Sequence, residues 1–167
     1  MACRVKSVGQ SRLSIRDSRR ASLAAAIVAL VKPDGHVFVL DVIQERLDFP
    51  SLCRRVLQEA QKHRPATTLI ESAGSGIPLW QSVYRQIQVI AIRPDGEKVV
   101  RFQAVTPTIE AGQVFLPKRS PWLETFKREL LSFPASKNDD QVDAFSQLLN
   151  YLRKPHNVPL VGTYGQA

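Results

Sequence analysis

Asp139, Asp140 and Asp143 fall within five positions, directly ahead of a helical pattern in which Val142, Phe145, Leu149 and Leu152 mark one buried face. Asp139 and Asp143 are four apart, so one helical turn separates them on the flank of that face. Like charges at that spacing repel, and water, a nearby base or a divalent cation must offset them. Hard cations such as Mg²⁺ take oxygen ligands, often one or two carboxylates together with phosphate. Asp140 points about 60° round the helix from Asp143, which ranks it below the other two. The same acids also suit the first turn of any helix, whose end carries partial positive charge, and Ser136 ahead of Asp139 resembles a capping arrangement.

Glu71 is the other candidate. It closes the short β-branched run at residues 67–70, and ligands of α/β sheets gather at the C-terminal ends of strands. If the last helix packs against that edge, Glu71, Asp139 and Asp143 can share cations. Two cations about 4 Å apart would activate a water and stabilise a leaving oxygen, which is metal-ion phosphodiester chemistry. The alternative for Glu71 is an ordinary solvated carboxylate at a strand end.

The surrounding pattern must position these groups. Residues 3–8 read as a short strand, and residues 9–20 are polar and basic without periodicity. Residues 21–31 are a continuous apolar run, with a helical alternative at Ala24 to Ala26. The run ends at Lys32-Pro33-Asp34-Gly35, which is turn chemistry, and residues 36–42 read as a strand, so the two pair as a hairpin. Asp48-Phe49-Pro50-Ser51 opens a helix whose stripe is Leu52, Val56, Leu57 and Ala60, and His63-Arg64-Pro65 ends it. Gly74-Ser75-Gly76 is a turn, residues 77–84 a helix and residues 89–92 a buried strand. Residues 97–105 read as a helix, and Gly112-Gln113 suggests a small hairpin within 106–116. Residues 121–131 and 139–153 are amphipathic helices joined by a loop at 133–137. This order predicts an α/β layered domain over residues 1–153, with helices against a central sheet and a loose tail at 154–167.

The formal net charge of +8 favours a polyanionic partner such as nucleic acid. Seven Lys or Arg residues against Asp17 alone lie in residues 1–33. Among them, Arg12, Arg16, Arg19 and Arg20 suit phosphate contacts or a solvated arm. Cys3 and Cys53 offer no disulfide framework and no metal spacing. The apolar run at 21–31 is too short to span a bilayer and starts late for a signal peptide, so the chain reads as cytoplasmic, with no membrane partner. Trp80 and Trp122 fall on apolar helical faces and read as core.

The segment Phe133-Pro134 followed by Asn138-Asp139-Asp140-Gln141-Val142-Asp143-Ala144-Phe145-Ser146-Gln147 resembles the last motif of the nuclease domain of tailed-phage terminase large subunits. Further pieces resemble the family in its order. They include Asp34-Gly35-His36-Val37-Phe38-Val39-Leu40-Asp41-Val42, Asp48-Phe49-Pro50, and Leu69-Ile70-Glu71-Ser72-Ala73-Gly74-Ser75-Gly76. Lys98-Val99-Val100-Arg101, Gly112-Gln113-Val114-Phe115-Leu116-Pro117 and Trp122-Leu123 follow, so the likeness spans roughly residues 17 to 153.

The resemblance implies an RNase H-like (ribonuclease H-like) fold with a central mixed sheet, an antiparallel hairpin start and helices on both faces. It implies a two-metal endonuclease using Mg²⁺ or Mn²⁺ that cuts concatemeric double-stranded DNA during genome packaging. Glu71, Asp139 and Asp143 would be catalytic metal ligands, with Asp140 a further one. Lys98 and Arg101 match a basic pair that would touch DNA, joined by Arg16, Arg19 and Arg20. The family also carries an acid in its first strand, and residues 1–16 hold none, which leaves Asp17 and Asp41 as substitutes. No G-x-x-x-x-G-K-[ST] loop is present, so a terminase ATPase domain, a small subunit and a portal would be partners of a nuclease half. The alternatives are a degenerate remnant that binds DNA or an assembly partner without cutting, and another RNase H-like nuclease of junction-resolvase or transposase type.

Overall fold

The computed structural model of the chain describes residues 10–16, 22–73, 76–136 and 138–154. The strands are β1 (Gln10–Arg16), β2 (Ser22–Val31), β3 (Val37–Leu47), β4 (Thr67–Glu71), β5 (Val89–Ile92) and β6 (Val114–Phe115). The helices are α1 (Phe49–His63), α2 (Gly76–Val83), α3 (Lys98–Gln103), α4 (Thr106–Glu110), α5 (Leu123–Ser132) and α6 (Asp140–Arg153). The strands make one mixed sheet in the order β5-β4-β1-β2-β3-β6. The β1–β2–β3 meander is antiparallel, while β4 joins β1, β5 joins β4 and β6 joins β3 in parallel.

The hairpin of β2 and β3 turns where the sequence says it should. Gly35 N–H donates to the Lys32 carbonyl at 3.0 Å, and Gly35 takes φ +87, which a side chain would resist. Strand β2 is apolar at every inner position because both its faces are covered. Ala25, Ile27 and Ala29 face the layer of α5 and α6, while Ala24, Ala26 and Val28 face α1 and α2. In the first layer Phe126 and Phe145 meet edge to face at 5.4 Å, and burying each contributes about 1.5–3 kcal/mol. Trp80 and Trp122 pack against these layers rather than standing free.

Two local readings change, and a third is not tested. The segment read as aperiodic contains β1, a strand next to the middle of the sheet. Only Leu13 and Ile15 are apolar in it, so side-chain pattern is faint; ladders to β2 on one side and β4 on the other satisfy its backbone instead. The strand read at 3–8 lies outside the described residues. The hairpin expected at Gly112-Gln113 is instead the end of α4. Gly112 takes φ +68 just past the helix, and Val114 then pairs in parallel with Val37. A glycine between apolar pieces serves either geometry, and pairing with β3 decides between them.

Helix α1 is capped by Asp48, whose carboxylate accepts from the Ser51 N–H at 3.0 Å. Hydrogen bonding from Ser51 holds the Asp48 carboxyl below its ordinary 3.8. A carboxyl whose folded pKa lies below its unfolded value stabilises the fold above the unfolded value, and that contribution is lost as pH falls through the lowered one. Asp48→Asn keeps the cap without the titration. Thermal midpoints of the two proteins should therefore diverge in slope between about pH 5 and pH 2, with the wild type falling faster. Parallel profiles would contradict this role.

Candidate active site

Strand β4 is buried throughout, and its alternation sends Leu69 to the α6 layer, Ile70 to the opposite layer, and Glu71 back towards α6. Glu71 is 9% exposed. Its strand end is clamped by α2: a Cβ on Gly76 would lie 1.7 Å from the Glu71 carbonyl oxygen, so only glycine lets this helix start there. On α6, Asp143 and Gln147 are one turn apart and face the sheet, at 2% and 4% exposure. Gln147 Nε2 donates to Glu71 Oε2 at 2.6 Å. The side chain of Gln147 thus spans from the Glu71 carboxylate to the turn that carries Asp143.

The repulsion between Asp139 and Asp143 is offset by α3. Lys98 Nζ bonds Asp139 Oδ1 at 2.5 Å and lies 4.0 Å from Asp143 Oδ2. Arg101 pairs directly with the buried Asp143 carboxylate, and its other Nη donates to the Gly96 carbonyl at 2.6 Å. Asn150 Nδ2 donates to the Arg101 carbonyl at 2.8 Å and ties α3 to α6. The basic pair therefore sits within the carboxylate site, where it neutralises the acids.

Sequence reasoning missed Glu129. This buried residue of α5 accepts from the Gln141 N–H at 2.8 Å, the Val142 N–H at 3.3 Å and Gln141 Nε2 at 2.7 Å. Gln44 Nε2 of β3 adds a bond at 3.2 Å. A carboxylate from another helix thus caps α6, and the expected Ser136 arrangement does not form. Asp139 is the N-cap residue but makes no side-chain cap bond, since its carboxylate turns to Lys98. The only sequence signal was an acid beside the apolar stripe of α5.

The remaining candidates divide. Asp140 opens α6 and is half-buried. Asp41 does not reach the site. Between Val28 and Ala29 the β2–β3 register shifts, leaving Leu40 as an extra residue, so Val39 and Asp41 point to opposite faces. Asp41 joins α1, where Lys62 Nζ bonds its Oδ2 at 2.9 Å. Asp17, Arg19 and Arg20 lie outside the described residues. Arg16 ends β1; Ile15 pairs with Ile70, which brings Arg16 level with Glu71. Strand β1, QSRLSIR, contains no carboxylate.

Glu71, Asp143 and Asp139 offer carboxylate oxygens, the donor type a hard cation takes, though ligand atoms of the three do not all lie within 4.8 Å of one another. Gln147 Oε1 is a buried oxygen with no hydrogen-bond partner. The bond from Nε2 to Glu71 fixes which end of the amide that oxygen occupies. An orphaned buried acceptor beside a carboxylate is costly, and a cation bound at that carboxylate would relieve it.

The mixed sheet, its antiparallel start and the helices on both faces define the RNase H-like fold. The family model of the terminase RNaseH-like domain matches residues 17–152. This chain belongs to that family. The nuclease of the large terminase from thermophilic phage G20c, solved with bound zinc, is 17% identical, covers 87% of this chain and 81% of its own, and superposes with a TM-score of 0.63. The human cytomegalovirus terminase nuclease domain is 10% identical over 92% of this chain and 88% of its own, with a TM-score of 0.62. The yeast mitochondrial Holliday junction resolvase Ydc2 is 16% identical over 85% and 77%, with a TM-score of 0.58. No curated protein matches the sequence.

Proposed function

We propose that this chain is a divalent-metal-dependent DNA endonuclease of terminase large-subunit type, cutting concatemeric double-stranded phage DNA during packaging. The observation that carries this reading is the bridge from Glu71 through Gln147 to the Asp143 turn, on one face of the sheet and bordered by Lys98 and Arg101. Glu71 and Asp143 would hold Mg²⁺ or Mn²⁺, with Asp139 at the more open side. A cation held there would supply Lewis-acid activation of water and would neutralise phosphate charge. Gln147 orients the Glu71 carboxylate, and Arg101 fixes that of Asp143. Lys98, a third exposed, is free to exchange Asp139 for a DNA phosphate. The charge of +8 supports a polyanionic substrate. A second cation needs a further carboxylate, which the described residues do not bring to Glu71.

This reading puts the chain in the cytoplasm of a bacterial host, with a terminase ATPase domain, a small subunit and a portal as partners. No helix among the described residues is long and apolar enough to cross a membrane.

Supercoiled plasmid tests the proposal. Nicking and linearisation should appear with Mn²⁺, vanish in EDTA, and fall about 10- to 100-fold in Asp139→Ala. Equal activity in variant and wild type would reject the assignment. One observation favours a second reading, a domain that binds DNA without cutting it: β1 lacks an acid and both aspartates are already neutralised. Retained DNA binding with no Mn²⁺-dependent cleavage would select that reading.

A further inference from the structure

On the face of the sheet opposite Glu71, Asp41 of β3 meets the last turn of α1. Glu59 and His63 are four apart on that helix, so they share its side towards Asp41. His63 Nε2 lies 3.3 Å from Glu59 Oε2 and 3.6 Å from Asp41 Oδ2. One ligand atom from each residue falls within 4.8 Å of the others, and among the described residues no other trio of His, Cys, Asp or Glu does so.

The second observation is a pair of orphans. The Glu59 side chain is 4% exposed, yet its Oε2 has no hydrogen-bond partner, and neither has the buried His63 Nε2. Two buried polar atoms that face each other within ion-pair range, neither hydrogen-bonded, are poorly served by protein alone. A tetrahedral cation with bonds of about 2.0–2.2 Å to nitrogen and oxygen places neighbouring ligand atoms about 3.3 Å apart. The observed 3.3 and 3.6 Å separations already sit close to that edge length.

We propose that Asp41, Glu59 and His63 form a second metal site, for a borderline divalent cation of the Zn²⁺ class, separate from the Glu71 site. An imidazole in the set favours such an ion over Mg²⁺. Water would complete the coordination. Lys62 Nζ now stands at 2.9 Å from Asp41 Oδ2 and 3.6 Å from Glu59 Oε2 as the resident counter-ion. Its side chain is 56% exposed, so the ammonium can leave for solvent when a cation enters. Arg55 remains, 3.3 Å from Glu59 Oε1 and 3.0 Å from Glu45. With Lys62 withdrawn, Asp41, Glu45 and Glu59 balance Arg55 and a divalent ion. The bound metal would staple the C-terminal turn of α1 to β3.

The test uses the full chain stripped with EDTA and desalted, titrated with Zn²⁺ in a calorimeter and with Co²⁺ in an absorption cell. Wild type, His63→Ala, Glu59→Gln and Asp143→Asn are compared. The expected result is a Zn²⁺ equivalent and a visible Co²⁺ band that survive Asp143→Asn. Both should weaken at least about tenfold in His63→Ala and in Glu59→Gln. Zn²⁺ should also raise the thermal midpoint of Asp143→Asn, but not of the double variant Asp143→Asn with His63→Ala. The proposal is overturned if His63→Ala and Glu59→Gln bind Zn²⁺ with wild-type stoichiometry and affinity. It is equally overturned if no Zn²⁺ binding survives Asp143→Asn. Neither result depends on whether the protein cleaves DNA.

Discussion

Asp143→Asn is expected to lower Mn²⁺-dependent cleavage by more than about 100-fold, beyond the loss usual for groups that act only through a ligand. The substitution keeps the volume of a side chain that is 2% exposed but removes its anionic charge, one helical turn before Gln147, which bonds Glu71. It also leaves Arg101 facing a neutral amide. Breaking a buried pair by removing one partner costs about 3–5 kcal/mol when the other charge is stranded. Arg101 retains the Gly96 carbonyl and an amide oxygen, and its side chain is 10% exposed, so the expected loss is at or below about 3 kcal/mol. Adding Arg101→Leu should recover much of the stability, since two neutral partners leave no stranded charge, while cleavage stays lost. Urea midpoints and plasmid cleavage on the single and double variants separate the two effects. A double variant that cuts DNA like the wild type would remove Asp143 from the chemistry.

The second large effect is expected at a residue that touches no cation. Glu129→Ala removes the acceptor for Gln141 N–H, Val142 N–H and Gln141 Nε2 at the start of α6, and for Gln44 Nε2 of β3. Hydrogen bonds to a charged acceptor contribute about 1.5–3 kcal/mol each, though not additively. An anion at a helix N-terminus is favoured for the further reason of the helix dipole. The expected destabilisation is about 4 kcal/mol, in the range reserved for broken buried networks. Glu129→Gln keeps the shape and should lose about half of that. Chemical denaturation with an unchanged slope measures both. Cleavage should fall with stability, because Asp139 and Asp143 stand on the turn that Glu129 holds. A cost for Glu129→Ala within about 1 kcal/mol would mean that α6 is held by its apolar face alone.

The tight turn at Gly35, the start of α1 at Asp48-Phe49-Pro50, the strand ending in Glu71 and the acidic start of α6 were all legible in the chain. Each is written within about one or two turns of backbone, where residue preference and apolar period act directly. The basic excess was legible for the same reason, since charge is a sum over residues.

What the tertiary structure alone decided lies at long separation. Gln147 meets Glu71 across 76 positions, Arg101 meets Asp143 across 42, and Lys98 meets Asp139 across 41. No local pattern encodes such pairs; they follow from which helix covers which face. Strand β1 exists because β2 and β4 supply ladders on both sides, not because Leu13 and Ile15 announce it. Asp41 was a sound substitute acid by position, and one extra residue at Leu40 turned it to the other face. The chain by itself determined which groups could do metal chemistry, because side-chain type and local spacing are sequence properties. Which of them meet was settled by sheet order, one bulge and the cap from Glu129, because these are relations between segments that only folding brings into contact.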